Sequence, residues 1–481
     1  MEKIDQHLKD QGNDKKYLKK YIKITREKMV QYYSTNDREK KELCSFKEAL
    51  LRGQAPDRGL YMPLSIPSIP SKEILAFDEM KYWEIAKNVT KYLLEDEVTE
   101  DALEKICRDA YNFEVPITSL YDKKYVMRLD QGPTSSFKDF AARMMARLMQ
   151  YFLKQEGKRL VILTATSGDT GGAVADAFFG MDNIDIIILY PKDEISDRQR
   201  KQMTTLGENI TAIGLDAKFD NCQSIVKEAF ADPDLEDIPL SSANSINFGR
   251  LLPQTVYYFY AFSRTLKKDQ EQKKILFSVP SGNFGDLMGG IIASRMGLPV
   301  EKFVVAVNEN DEFVKFLDSG EYEKIEPSRN CLSSAMNVGH PSNLARLVEI
   351  YGGHLDHFGN LKKKPDMEKM RKDLWSISIS DARTRQTIKR AYDKYHYIME
   401  PHGAVGWDAL VSYLDENPTE VPCVSFETAD PAKFPVQIRE LIGVDPEMPE
   451  NMKKQQEKEE TLISMANDYQ DFKKFLKERY L

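Results

Sequence analysis

Cysteine is scarce in this chain: Cys44, Cys107, Cys222, Cys331 and Cys423 are the only five in 481 residues. Their odd number, wide spacing and lack of any C-x-x-C pair exclude a disulfide framework and a structural zinc ribbon, and predict a reducing, cytoplasmic setting. Long apolar runs are missing too, and the opening "MEKIDQHLKDQGNDKKYLKKYIKITREK" is charged throughout, unlike a signal peptide. No membrane partner is expected. An excess of basic residues is also lacking: the net charge is −8. Nucleic acid is therefore not an expected partner, and an anionic substrate must be gathered by local cations and backbone N–H groups. Several catalytic signatures are absent as well. There is no G-x-S-x-G, no H-E-x-x-H, no lysine closing a Walker loop and no G-x-G-x-x-G, so common hydrolase, ATP and dinucleotide chemistries lack support. His354 and His357 in "GGHLDHFGN" have a metal-compatible spacing but no third ligand nearby, and read as solvated loop histidines. No metal is expected.

What the chain does have is a hydrophobic fraction of 41%, enough for two or three folded domains. Residues 1–28 are lysine-rich and read as an appended helix or tail ahead of "YYSTND". Helical patterns dominate from "CSFKEALLRG" to "YNFEVPITSL", broken by the Pro/Gly/Ser loop "QAPDRGLYMPLSIPSIPS". Beyond Lys123 come short β-branched runs, "KRLVILTAT", "IDIIILYP", "ENITAIGLD", "KKILFSVP", "KFVVAVN" and "VPCVSFET", alternating with amphipathic helices. That alternation predicts α/β architecture with parallel strands. The segment from Pro446 is charge-rich and reads as a helical, surface-lying tail.

One lysine is oddly placed. In "QGPTSSFKDFAARMMARLM" Ser136 can cap a helix, Asp139 completes a capping box, and Phe137, Phe140, Ala141, Met144 and Leu148 recur at helical spacing. Lys138 then falls in the first turn, where the helix dipole and apolar neighbours both disfavour an ammonium. It is either a lysine whose charge snorkels to solvent or an amine tuned for nucleophilic chemistry. Two glycine loops follow strands and precede helices. "TATSGDTGGAVADAF" has its helix expected from Ala173, and "VPSGNFGDLMGG" has its helix expected from Asp286 to Gly297. Each is a tight turn or an anion cradle.

Taken together, "SFKDFAARMM", "TATSGDTGGAVADAF", "NSINFGRLLPQTVYYF", "VPSGNFGDLMGG", "MEPHGAVGWDAL" and "TADPAKF" resemble, in order, the motifs of threonine synthases, pyridoxal-phosphate enzymes of fold type II. The resemblance runs from about "YYSTND" to "IRELIG". It implies two doubly wound open sheets with a helical N-terminal region: 29–122 N-terminal, 123–155 with 245–445 the large cofactor domain, 156–244 the small domain and 446–481 the tail. It implies pyridoxal 5'-phosphate as cofactor, with Lys138 as the lysine that carries it. Gly282, Asn283, Phe284, Gly285 and Asp286 match its phosphate loop, Thr428 the hydroxyl facing the pyridine nitrogen, and Asp169 the position facing the ring hydroxyl. For the substrate, Thr166, Ser167 and Thr170 match positions that grip the amino acid, and Asn244, Ser245 and Arg250 those that hold its phosphate. Asp430 departs from the pattern, standing where many members carry histidine. The implied reaction turns the small molecule O-phospho-L-homoserine and water into L-threonine and phosphate. Monomer and dimer both remain open. Two alternatives stand beside it: a phospho-lyase giving ammonia and 2-oxobutyrate, and a non-catalytic metabolite-binding protein, against which Lys138 argues.

Overall fold

The computed structural model describes residues 30–94, 96–266 and 274–481, so the reading of 1–28 as an appended helix lies outside the described residues. The β-branched runs form two separate sheets. One is six-stranded, in the spatial order Leu374–Ser378, Val300–Val307, Ile275–Pro280, Cys423–Glu427, Lys124–Arg128 and Ile117–Tyr121. Its pairings are parallel except the last, where Ile117 faces Met127 in an antiparallel edge ladder. The other sheet is five-stranded and parallel throughout, in the order Ile463–Met465, Ile210–Leu215, Ile184–Pro191, Leu160–Ala165 and Leu240–Ser242. Every residue of Leu160–Ala165 and Ile275–Pro280 is buried, as strands covered by helices on both faces require.

The helix Lys138–Glu156 packs on the helix Asp169–Phe178. Its apolar positions behave as their spacing predicts, with Phe140, Met144 and Leu148 inaccessible to solvent. Phe140 meets Tyr257 edge-on at 5.8 Å, and Tyr257 meets Phe426 of the central strand Cys423–Glu427 at 5.5 Å. Such aromatic contacts add to area burial and fix the helix against the sheet.

The start of this helix differs from the capping box read in the sequence. The Asp139 carboxylate turns back to Thr134, accepting from its N–H at 2.9 Å and its hydroxyl at 2.5 Å, while Ser136 Oγ accepts only from Lys138 N–H at 3.4 Å. Ser135 takes a left-handed conformation (φ 55°), and the capping position falls on Phe137, one residue after Ser136, with no side-chain cap. A buried carboxylate needs donors, and Thr134 supplies two.

The last 36 residues, read as a helical, surface-lying tail, are helical over Glu450–Gln456 and Tyr469–Tyr480 and mostly exposed or half-buried, but part of the segment joins the core of the small sheet. Ile463–Met465 extends the small sheet beside Ile210–Leu215, and the helix Tyr469–Tyr480 buries Phe472 and Leu476 completely. The charge-rich surroundings hid two apolar residues four apart, enough for one helical face.

Candidate active site

The C-terminal ends of the two sheets face one cavity of about 1400 Å³. Lys138, Thr166, Ser167, Asp169, Thr170, Asn244, Ser245, Arg250, Gly282, Asn283, Phe284, Gly285, Asp286 and Thr428 all line it. These positions come from five segments of the chain, brought together by the crevice outside the carboxyl ends of parallel strands.

Lys138 opens its helix, with a side chain only 14% exposed and its Nζ 3.6 Å from Asp169 Oδ2. Burial pushes its amine below the ordinary lysine range, with Lys433 and Arg250 adding to that and Asp169 opposing it. Asp169 has stronger partners: Lys433 Nζ at 2.9 Å and Gln199 Nε2 at 3.1 Å, both on Oδ1. Although burial alone would raise it, the two ammonium groups hold this carboxyl well below the usual range.

The glycine loops differ in what they leave free. In the loop before the helix Gly285–Arg295, the N–H groups of Gly282 to Asp286 donate to nothing among the described residues. Phe284 adopts a left-handed φ of 60° there, turning successive N–H groups toward one side. Gly282 has a packing reason of its own, since a Cβ would stand 2.9 Å from the Ala335 carbonyl. The helices open slightly earlier than read, at Gly285 rather than Asp286 and at Asp169 rather than Ala173. Between Thr166 and Thr170, the Thr166 hydroxyl is engaged by its own loop, accepting from Gly168 N–H at 3.0 Å and Gly171 N–H at 2.8 Å. Gly168 makes that turn possible with φ 127°.

Arg250 is 4% exposed; Nη1 donates to the Ala243 carbonyl at 2.6 Å, and Nε has no partner among the described residues. Burial lowers its proton affinity to a pKa of about 10, which still leaves it charged at neutral pH. Asn244 is tied to the other loop by a 2.9 Å bond from Nδ2 to the Ala165 carbonyl. Asp286 sits beneath the free N–H groups, accepting from Tyr257 Oη at 2.6 Å and Tyr258 Oη at 2.7 Å; burial pushes its carboxyl up to about 6.

Sequence reasoning missed a supporting shell. Lys433 was visible in "TADPAKF" but carried no periodic signal. Arg346 is wholly buried and donates to the carbonyls of Tyr61, Ser245 and Ile246, while Asn343 Nδ2 reaches the carbonyls of Ser245 at 3.3 Å and Asn283 at 3.0 Å. Those two residues join the Asn244–Ser245 loop to the Gly282–Gly285 loop. Thr428 Oγ1 donates to Glu400 at 3.2 Å, and Glu400 also accepts from His402 Nδ1 at 2.5 Å, whose Nε2 accepts from the Ala335 N–H at 3.0 Å. Asp430, the departure from the motif, faces Arg128 at 3.7 Å and caps the turn Pro431–Lys433. His354 lies in a two-residue strand paired with Leu361–Lys363, away from these residues in sequence and sheet.

Three family models match the chain: threonine synthase N terminus over residues 31–111, pyridoxal-phosphate dependent enzyme over 121–422, and threonine synthase, C-terminal, over 403–476. The threonine synthase of Haemophilus influenzae is 36% identical over 443 residues, covering 92% of this chain and 98% of that protein. The chain belongs to the threonine synthase family. The enzyme of Escherichia coli K12 is 37% identical over 421 residues, 87% of this chain and 92% of that protein. Among solved structures, the PLP-bound threonine synthase from Brucella melitensis superposes with a TM-score of 0.85 at 33% identity, covering 94% of this chain and 99% of that one. Membership makes this a pyridoxal-phosphate-dependent lyase of fold type II. The cavity suits that cofactor, with a desolvated amine and a row of unused N–H groups at a helix start for one phosphate, and it also holds Arg250, whose Nε has no partner among the described residues.

Proposed function

We propose that this protein converts O-phospho-L-homoserine and water to L-threonine and phosphate. The observation that carries the reading is Arg250, a buried cation with an idle Nε in a cavity that already has a phosphate cradle. One anion site serves the cofactor and the other serves a substrate with a phosphate of its own.

Bound pyridoxal phosphate supplies the electron sink for charge developing along the substrate carbon chain. The N–H groups of Gly282, Asn283, Phe284, Gly285 and Asp286 would hold its phosphate, with Thr428 toward its ring nitrogen and Asp169 toward its ring hydroxyl. Lys138 would hold the cofactor, and its amine, when free, would take the proton at Cα and move one at Cβ. Its lowered proton affinity suits it to both acid and base steps. Arg250, Asn244 and Ser245 bind the substrate phosphate and stabilise it as it leaves from Cγ. Ser167 and Thr170 grip the amino-acid end from the other loop, and Thr166 shapes that loop through its hydroxyl. Water then adds at Cβ. No helix among the described residues is long and apolar enough to cross a membrane, and five unpaired cysteines support a cytoplasmic setting.

The test is a product assay. O-phospho-L-homoserine should release phosphate and threonine in equal amounts, and L-homoserine should be inert. Phosphate accompanied by ammonia and 2-oxobutyrate without threonine would establish a lyase instead.

A further inference from the structure

Two ammonium groups face Asp169, and they are not equivalent. Lys433 makes a hydrogen-bonded pair with Oδ1 at 2.9 Å, whereas Lys138 stands 3.6 Å from Oδ2. The Lys433 side chain is 0% exposed, and Asp169 is its hydrogen-bond partner among the described residues. The pair joins the two sheets, since Lys433 lies on the turn after Cys423–Glu427 and Asp169 opens the helix after Leu160–Ala165. The charged groups facing Lys433 are Asp169, Asp139, Asp430 and Lys138; those facing Lys138 are Asp169, Lys433 and Arg250. A buried ion pair is weak as a source of stability, because desolvating both charges offsets most of their attraction. Its place beside the reacting amine gives it another use.

We propose that Lys433 is a positioning residue for the reaction: it takes Asp169 as its own counter-ion and so leaves the Lys138 amine without a committed carboxylate. This rests on the reading of Lys138 as the reacting amine. Without Lys433, Asp169 has only Lys138 and Gln199 to satisfy it, and the Lys138 nitrogen is drawn into a close ion pair that holds its proton. Burial remains the first cause of the weak proton affinity at Lys138, and the Lys433 charge adds to it.

The test compares holoenzymes through the pH response of the cofactor's visible absorption band, which reports protonation at the Lys138 nitrogen. In K433M the response should move up by about one pH unit, a tenfold gain in proton affinity. K433R, which keeps the charge, should respond as the parent does. K433Q, whose amide can still donate to Asp169, supplies the same reading if K433M fails to fold, and should also move up. An unchanged or lowered response in a folded, cofactor-loaded K433M or K433Q overturns the proposal, as does a K433R that behaves like K433M. A Lys138→Ala variant that still carried covalent cofactor would instead overturn the underlying reading of Lys138.

Discussion

Phe137 donates its backbone N–H to the Thr428 carbonyl at 2.9 Å, and the Asp430 N–H returns a bond to the Ser135 carbonyl at 3.1 Å. The residue before the lysine and the hydroxyl across the cavity are thereby held in one short ladder. The backbones on either side of Lys138 and Thr428 are therefore tied together across the cavity.

Lys138→Ala should lose turnover and the covalent, borohydride-stable attachment of the cofactor while keeping its fold. A first-turn residue with its side chain in the cavity contributes little packing. Intact mass after borohydride reduction and far-UV circular dichroism check the two halves of this expectation. Retained activity with retained attachment would show that another amine does the work.

Arg250→Leu should keep bound cofactor and lose kcat/KM for the phosphorylated substrate by roughly 1.5 to 3 kcal/mol, the worth of a charge-assisted contact to an anion. Loss of cofactor binding with an unaltered substrate KM would assign this arginine to the other phosphate.

Asp286 gives a pH dependence with a definite sign. Its carboxyl rises from an ordinary 3.8 to about 6 on folding, so the folded chain holds the proton more tightly than the unfolded one. The associated stability is full below pH 4 and is lost as pH climbs through about 6, by on the order of 3 kcal/mol. Asp286→Asn removes this loss, so urea denaturation of the cofactor-free chain should show the variant gaining on the parent between pH 4 and 7. A constant difference across that range would mean that the carboxyl is not so perturbed.

Phe472→Ala should destabilise the protein by about 3 to 5 kcal/mol, the usual cost of emptying a buried aromatic site. A purely surface tail would tolerate the change. Thermal unfolding distinguishes the two, and a shift within experimental error would detach the last helix from the core.

The elements that line the cavity are local and legible in the sequence. A lysine at a helix start and glycine loops between strand and helix are properties of short windows, because capping, dipole and backbone freedom act over a few residues. The β-branched runs marked six strands for the same reason, and all six are strands in the two sheets. The capping box at Asp139 failed because a carboxylate chooses among the donors that the fold presents, and Thr134 was nearer. The C-terminal segment is helical and mostly exposed as its charge predicts, but the contribution of Phe472, Leu476 and their apolar neighbours to the small sheet's core was hidden among charged residues and needs the fold to give it a purpose. Long in reach are the pairings of Asp169 with Lys433, 264 residues apart, and of Arg346 with the Tyr61 carbonyl, 285 residues away. No periodicity links such residues. They meet because two parallel sheets aim their carboxyl ends at one crevice, where burial makes each charge depend on partners from elsewhere in the chain.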